Sequence, residues 1–174
     1  MPLKPFVLQF PAADLRRYAD EFSYNRSPAN AIATGQAAAQ AGRYTRDGVI
    51  AVVDWKSPRT KGRITAADGE IQAATANALS ADNEQTRMET LTALPGVGVP
   101  VASALLLFAL GETYPILDVN ALASLGHKRR GINPTEFWLR YLAFVRQLAE
   151  QNGITARAVE KALWEYEKQR KAQC

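Results

Sequence analysis

The residues best suited to chemistry in this sequence form a short turn that reads Leu-Pro-Gly-Val-Gly over positions 94–98. Pro95 ends the preceding helix, and glycines at 96 and 98 allow backbone angles that are closed to other residues. Such a turn exposes amide N–H groups at the start of the next helix, where a phosphate oxygen can bind without any base being read. The segment is either a DNA-binding turn at Gly96, Val97 and Gly98 or a plain turn between two helices, and the two glycines alone favour the plain turn.

A second candidate site is the run from Trp55 to Arg63, which carries four cations and no carboxylate. Cations of this density can lie along a phosphate backbone while a neighbouring aromatic ring stacks on a displaced base. Trp55 and Tyr44 are the stacking candidates, although a bulky aromatic at a helix end more often packs into the core. The DNA-binding candidates of this run are Lys56, Arg59, Lys61 and Arg63. A further basic cluster, Lys128, Arg129 and Arg130, is either a phosphate contact or a hydrated loop.

The turn and the residues after it resemble the helix-hairpin-helix DNA glycosylase superfamily. The likeness covers the run from Leu94 to about Leu125, in which the turn is followed by an apolar helix and then by Tyr-Pro-Ile-Leu-Asp over 114–118. It is most similar to the adenine mismatch glycosylases. The resemblance implies an all-helical fold, DNA as the partner, and Asp118 as the catalytic carboxylate that supports cleavage of an N-glycosidic bond. Without the resemblance, Asp118 is read as a helix cap, and the two roles are compatible.

Departures from the family pattern narrow the expected activity. Lyase-active members carry a lysine two residues after the second glycine, where this chain has Pro100, so the resemblance implies a monofunctional enzyme. One cysteine cannot hold the iron–sulfur cluster that some members contain. No cofactor is required, and a monovalent cation on the carbonyls of Leu94, Val97 and Val99 is implied by the resemblance alone.

Composition places the chain among ordinary globular proteins. Of 174 residues, 47% are hydrophobic and 22% are charged, which is outside the range of disordered chains. The net charge of +4 favours polyanionic partners. No apolar run reaches the length of a membrane helix, and no leader-like segment is evident, so a cytoplasmic protein without membrane contact is expected. Protein partners are not indicated.

Periodicity predicts a single all-α domain, a helical bundle over 1–174 with the glycine turn inside a helical pair at about 82–111. The run 44–55 is rich in β-branched residues but is interpreted as a helix, because Thr45 can cap it. Other predicted helix starts are a capping box of Asp82 and Gln85, a cap at Asn133 and a cap at Thr155.

Three functions remain open from the sequence. The first is a DNA N-glycosylase or a diverged relative of one, which acts in base excision and repair by hydrolysis. The second is a non-catalytic DNA-binding module, and the third is a helical scaffold for protein interactions. The first needs a cavity beside Asp118, the second predicts salt-dependent DNA binding, and the third predicts an exposed apolar patch without DNA binding.

Overall fold

The computed structural model describes residues 4–128 and 133–174, and every regular element in these ranges is helical. The α-helices are α1 (Leu15–Glu21), α2 (Ala29–Ala41), α3 (Arg46–Lys56), α4 (Asp68–Ser80), α5 (Glu84–Thr92), α6 (Val99–Leu110), α7 (Val119–Ala123), α8 (Pro134–Asn152) and α9 (Ala156–Ala172). Two 3₁₀ turns, Ala12–Asp14 and Pro58–Arg63, complete the described part. The all-α prediction is confirmed.

The helices pack into two units that are each described by themselves. The central unit, Tyr24–Gly111, contains α2 to α6 and the 3₁₀ turn Pro58–Arg63. The terminal unit joins Met1–Ser23 to Glu112–Cys174 and contains α1 and α7 to α9. The organisation of the whole chain as one domain stays a prediction.

Helix α3 settles the interpretation of the β-branched run. The Thr45 hydroxyl accepts the amide of Gly48 at 3.0 Å, which satisfies one of the unpaired donors of the first turn. Val49, Val52 and Val53 are fully buried on one face of the helix. The predicted caps at Asn133 and Thr155 are also confirmed, since their side chains accept the amides of residues three positions further along.

The predicted start of α5 is wrong by one residue. Asn83, not Asp82, caps the helix, because its extended backbone lets the side chain accept the amide of Thr86 at 2.8 Å. Gln85 donates instead to Glu89 at 2.9 Å, one turn along the exposed face. Two acceptable caps stand side by side in the sequence, and the packing of Met88 and Leu91 into the core selects the register of the second.

Helix α4 begins at Asp68, because a side chain of α3 holds the residues before it in an extended path. The guanidinium of Arg46 donates to the carbonyls of Ile64 and Ala66, at 2.8 Å and 3.2 Å. Those carbonyls follow the 3₁₀ turn directly, so Arg46 anchors the end of the turn to the first residue of α3.

In the terminal unit the apolar face of α8 is buried. Trp138, Tyr141 and Val145 have no exposed surface, and burial raises the pKa of the Tyr141 hydroxyl well above its ordinary value. His127 lies against Phe6 at 4.5 Å between ring centroids, and its Nε2 is 3.2 Å from the Pro5 carbonyl. His127 is therefore part of a packed cluster of aromatic rings.

Candidate nucleic-acid interface

The predicted DNA-binding turn connects α5 to α6 in the central unit. Gly96 has φ of +83°, a left-handed conformation that side chains rarely adopt. The amide of Val97 donates to the carbonyl of Leu94 at 3.1 Å and closes the turn. We refer to residues 93–98 as the glycine turn. Glycine at position 96 is therefore required by the backbone itself.

The start of α6 presents amide donors next to this turn. Gly98 caps the helix in an extended conformation, and its carbonyl accepts the amide of Ala102 at 2.9 Å. Within the described residues, no acceptor receives the amides of Gly98, Val99 or Val101. Pro100 has no amide hydrogen and leaves its place in the first turn without a donor. Such a helix start can receive an anion, as the sequence predicts.

The glycine turn packs directly on the 3₁₀ turn Pro58–Arg63, which we call the basic turn. A Cβ atom added to Gly96 would lie 2.6 Å from both the carbonyl carbon and the carbonyl oxygen of Arg63. Only a residue without a side chain permits this approach. The structure thus brings together two candidate sites that the sequence offers separately.

The four cations of this region differ in their surroundings. Arg59 and Arg63 are exposed, and no ion pair of either is found in the part of the chain that the structure describes. Lys61 is exposed but pairs with Asp54, with 2.9 Å between Nζ and Oδ1. The hydrogen bond from Lys61 lowers the pKa of the Asp54 carboxyl below its ordinary value. Lys56 is half-buried at the end of α3.

Tyr44 is not a stacking surface, and this prediction is corrected. Its side chain is 1% exposed, and its hydroxyl donates to the carbonyl of Leu105 at 2.7 Å. Burial raises the pKa of this hydroxyl above its ordinary value. Tyr44 precedes α3 by two residues, and its hydroxyl reaches the backbone of α6, so the ring lies in the core.

Trp55 is half-buried, so it belongs partly to the core and partly to the surface. Its ring packs edge-on to Phe108 at 5.3 Å, and its Nε1 donates to the carbonyl of Arg26 at 3.3 Å. On the surface it meets Tyr24, whose ring centroid lies 6.2 Å away and whose residue is 36% exposed. The sequence does not indicate Tyr24, because 31 positions separate it from Trp55 and no local pattern connects the two rings.

Asp118 lies in the terminal unit and caps α7. Its Oδ1 accepts the amide of Asn120 at 2.8 Å, and the residue is half-buried. Two side chains of α8 bind the carbonyls of the segment that leads to it: the Tyr141 hydroxyl donates to Ile116 at 2.8 Å, and Arg146 Nε to Thr113 at 2.9 Å. The capping role is therefore observed. The pairing of Asp118 with the glycine turn, which belongs to the other unit, stays a prediction.

The remaining predicted site residues are in the terminal unit. Lys128 is exposed, whereas Arg129 and Arg130 lie outside the described residues. Among residues 4–128 and 133–174, no group of three histidine, cysteine, aspartate or glutamate side chains could hold a metal ion. The cation implied on the carbonyls near the glycine turn stays a prediction. No helix in the same ranges is long and apolar enough to cross a membrane.

Searches found no protein-family model, no curated protein and no solved structure similar to the chain. The feature of the chain that bears most directly on its function is therefore the contact between the glycine turn and the basic turn.

Proposed function

We propose that this protein binds DNA through the surface that the glycine turn and the basic turn form in the central unit. The observation that carries the proposal is the approach of Gly96 to the Arg63 backbone, where an added Cβ would lie 2.6 Å from the carbonyl. This contact places the backbone of Arg63, the last residue of the basic turn, against the glycine turn that leads into α6. Amides and guanidinium groups together bind phosphate oxygens and read no base sequence.

The distribution of charge supports the same surface. All four charged residues between Trp55 and Arg63 are cations, and Asp54, just before this run, pairs with Lys61. Arg59 and Arg63 remain available for phosphate contacts. When DNA binds such a surface, the counterions of its phosphates are released, so its affinity falls steeply as the salt concentration rises.

The first prediction concerns the salt dependence of DNA binding. We expect Arg59→Gln and Arg63→Gln each to weaken binding of labelled duplex and to reduce the slope of log K against log salt by about 0.9. Asp54→Asn should act in the opposite direction, since it releases Lys61 from its ion pair. Fluorescence anisotropy between roughly 50 and 200 mM salt measures both effects.

Arg43→Gln is the matched control. Arg43 is exposed in the same unit, and its substitution lowers the net charge as much as Arg59→Gln or Arg63→Gln does. It precedes α3, however, whereas the basic turn follows that helix. Eleven residues of helix separate the two ends by about 16 Å. An equal loss in Arg43→Gln would show that net charge and not this surface governs binding, and no binding by the folded wild type at low salt would overturn the proposal. Substitution of Gly96 is a poor probe, because the added Cβ would displace Arg63.

We further propose that the protein removes a base from DNA as a monofunctional N-glycosylase with Asp118 as the carboxylate. The observation that favours it is the anchoring of the segment before Asp118 by Tyr141 and Arg146, which holds the carboxylate in one place. Water would attack the sugar carbon as the base leaves with the bond electrons, and the carboxylate would stabilise the developing cation or take the proton of the water. Strand cleavage is not expected, because the chain has Pro100 and no amine at that position.

The second prediction is that Asp118→Asn lowers single-turnover base release by about 10²-fold or more while DNA binding is retained. The asparagine keeps an oxygen that can accept the Asn120 amide, so the helix cap is preserved. The assay uses duplexes that each contain one mismatched or damaged base, with alkali added to reveal abasic sites. Equal release by both proteins would remove Asp118 from the reaction, and no release from any duplex would leave a DNA-binding module without enzymatic activity.

A further inference from the structure

Two aromatic rings lie at the end of α3, just before the basic turn. Trp55 is the penultimate residue of α3, and Tyr24 meets it with the ring planes at 66° and the centroids 6.2 Å apart. We call this pair the aromatic ledge. Tyr24 is one of only five large hydrophobic residues that are exposed among those described, so its position at the edge of a cationic surface stands out.

The ledge is held in place by the core of the central unit. Phe108 of α6 packs against the Trp55 ring at 5.3 Å, and the Trp55 indole donates to the Arg26 carbonyl, which lies two residues after Tyr24. This hydrogen bond ties the segment that carries Tyr24 to the end of α3. A ring that is already oriented loses little conformational entropy when a flat ligand stacks on it.

Two cations are near the ledge residues in the chain. Lys56 follows Trp55 directly, and Arg26, which is exposed, comes two residues after Tyr24. The basic turn then leads over six residues, about 12 Å at the rise of a 3₁₀ helix, to the contact of Arg63 with Gly96. At 3.4 Å per nucleotide along a strand, this length corresponds to about three or four nucleotides.

We propose that the aromatic ledge stacks on an unpaired base while the basic turn and the glycine turn hold phosphates of the same strand. The preferred ligand is then DNA in which a single-stranded stretch adjoins a duplex. The inference rests on the proposed DNA binding and adds the class of DNA to it. Bases inside an intact duplex present no open face, so the ledge can contribute only where a base is unpaired.

The test compares three labelled DNAs of equal length: an intact duplex, the same duplex with a gap of three nucleotides in one strand, and the single strand alone. We expect wild type to bind the gapped duplex about tenfold more tightly than the intact one, since stacking of one base on an aromatic ring contributes on this order. Tyr24→Leu should abolish the preference and leave affinity for the intact duplex unchanged. Tyr24→Phe keeps the aromatic face and should keep the preference.

Ile32→Ala is the control variant, because Ile32 is a similarly exposed apolar residue of the same unit, on α2. Thermal unfolding of each variant shows that the fold is retained. Equal wild-type affinity for intact and gapped duplex would overturn the inference and leave the proposed DNA binding in place. A preference that survives in Tyr24→Leu would also overturn it, and absence of binding to all three DNAs would overturn both proposals.

Discussion

Gly35→Ala is expected to destabilise the protein by roughly 3 kcal/mol, a large effect for the addition of one methyl group. Gly35 lies on the face of α2 that packs against α6, where an added Cβ would come within 2.3 Å of the Phe108 Cβ and 2.4 Å of its carbonyl oxygen. A backbone oxygen cannot rotate away as the end of a side chain can. The two helices would have to separate, and the contacts along their interface would weaken.

Chemical denaturation with urea measures this effect, and Gly69→Ala is the control. Gly69 lies in α4 of the same unit, and no atom is found within 4 Å of its added Cβ. Alanine there should raise stability by about 0.5 kcal/mol, because it restricts the unfolded chain and favours the helix. If Gly35→Ala remained as stable as wild type, α2 and α6 would not pack as closely as described.

The second large effect is expected when the ion pair inside the terminal unit is broken. Arg157 and Glu160 of α9 form a salt bridge in which each side chain is only 4% exposed. Glu160→Gln should cost about 3 kcal/mol of stability, because it removes a negative charge that faces the buried guanidinium. The measurement is the free energy of unfolding at neutral pH.

The double variant Arg157→Met, Glu160→Leu separates this explanation from a general sensitivity of α9. It removes both charges and fills the space with apolar groups, so we expect it to be more stable than Glu160→Gln by about 2 kcal/mol. Glu21→Gln is the exposed control, since its partner Arg17 is 49% exposed and the pair should contribute less than about 1 kcal/mol. A double variant less stable than the single one would show that the charges themselves stabilise the unit.

The sequence predicted the helical elements well where the signal lies within one turn of chain. Thr45, Asn133 and Thr155 cap their helices as expected, since each side chain needs only the amide three residues further along. The predicted start of α5 is wrong by one residue, because Asp82 and Asn83 are both residue types that can cap a helix. Local hydrogen bonding leaves that choice open, and burial of the apolar face decides it.

The candidate site likewise combines features that the sequence predicts with contacts that only the tertiary structure shows. The sequence alone predicted the turn that needs glycine at position 96, the cations of the run 55–63 and the aspartate that caps α7. Only the tertiary structure showed that Arg63 packs on Gly96, that Tyr44 is buried and that Tyr24 meets Trp55. A glycine conformation or a helix cap depends on neighbours within about four residues, which the order of amino acids specifies directly. Contacts across about 30 to 60 positions depend on how whole helices pack, and no short stretch of sequence carries that information.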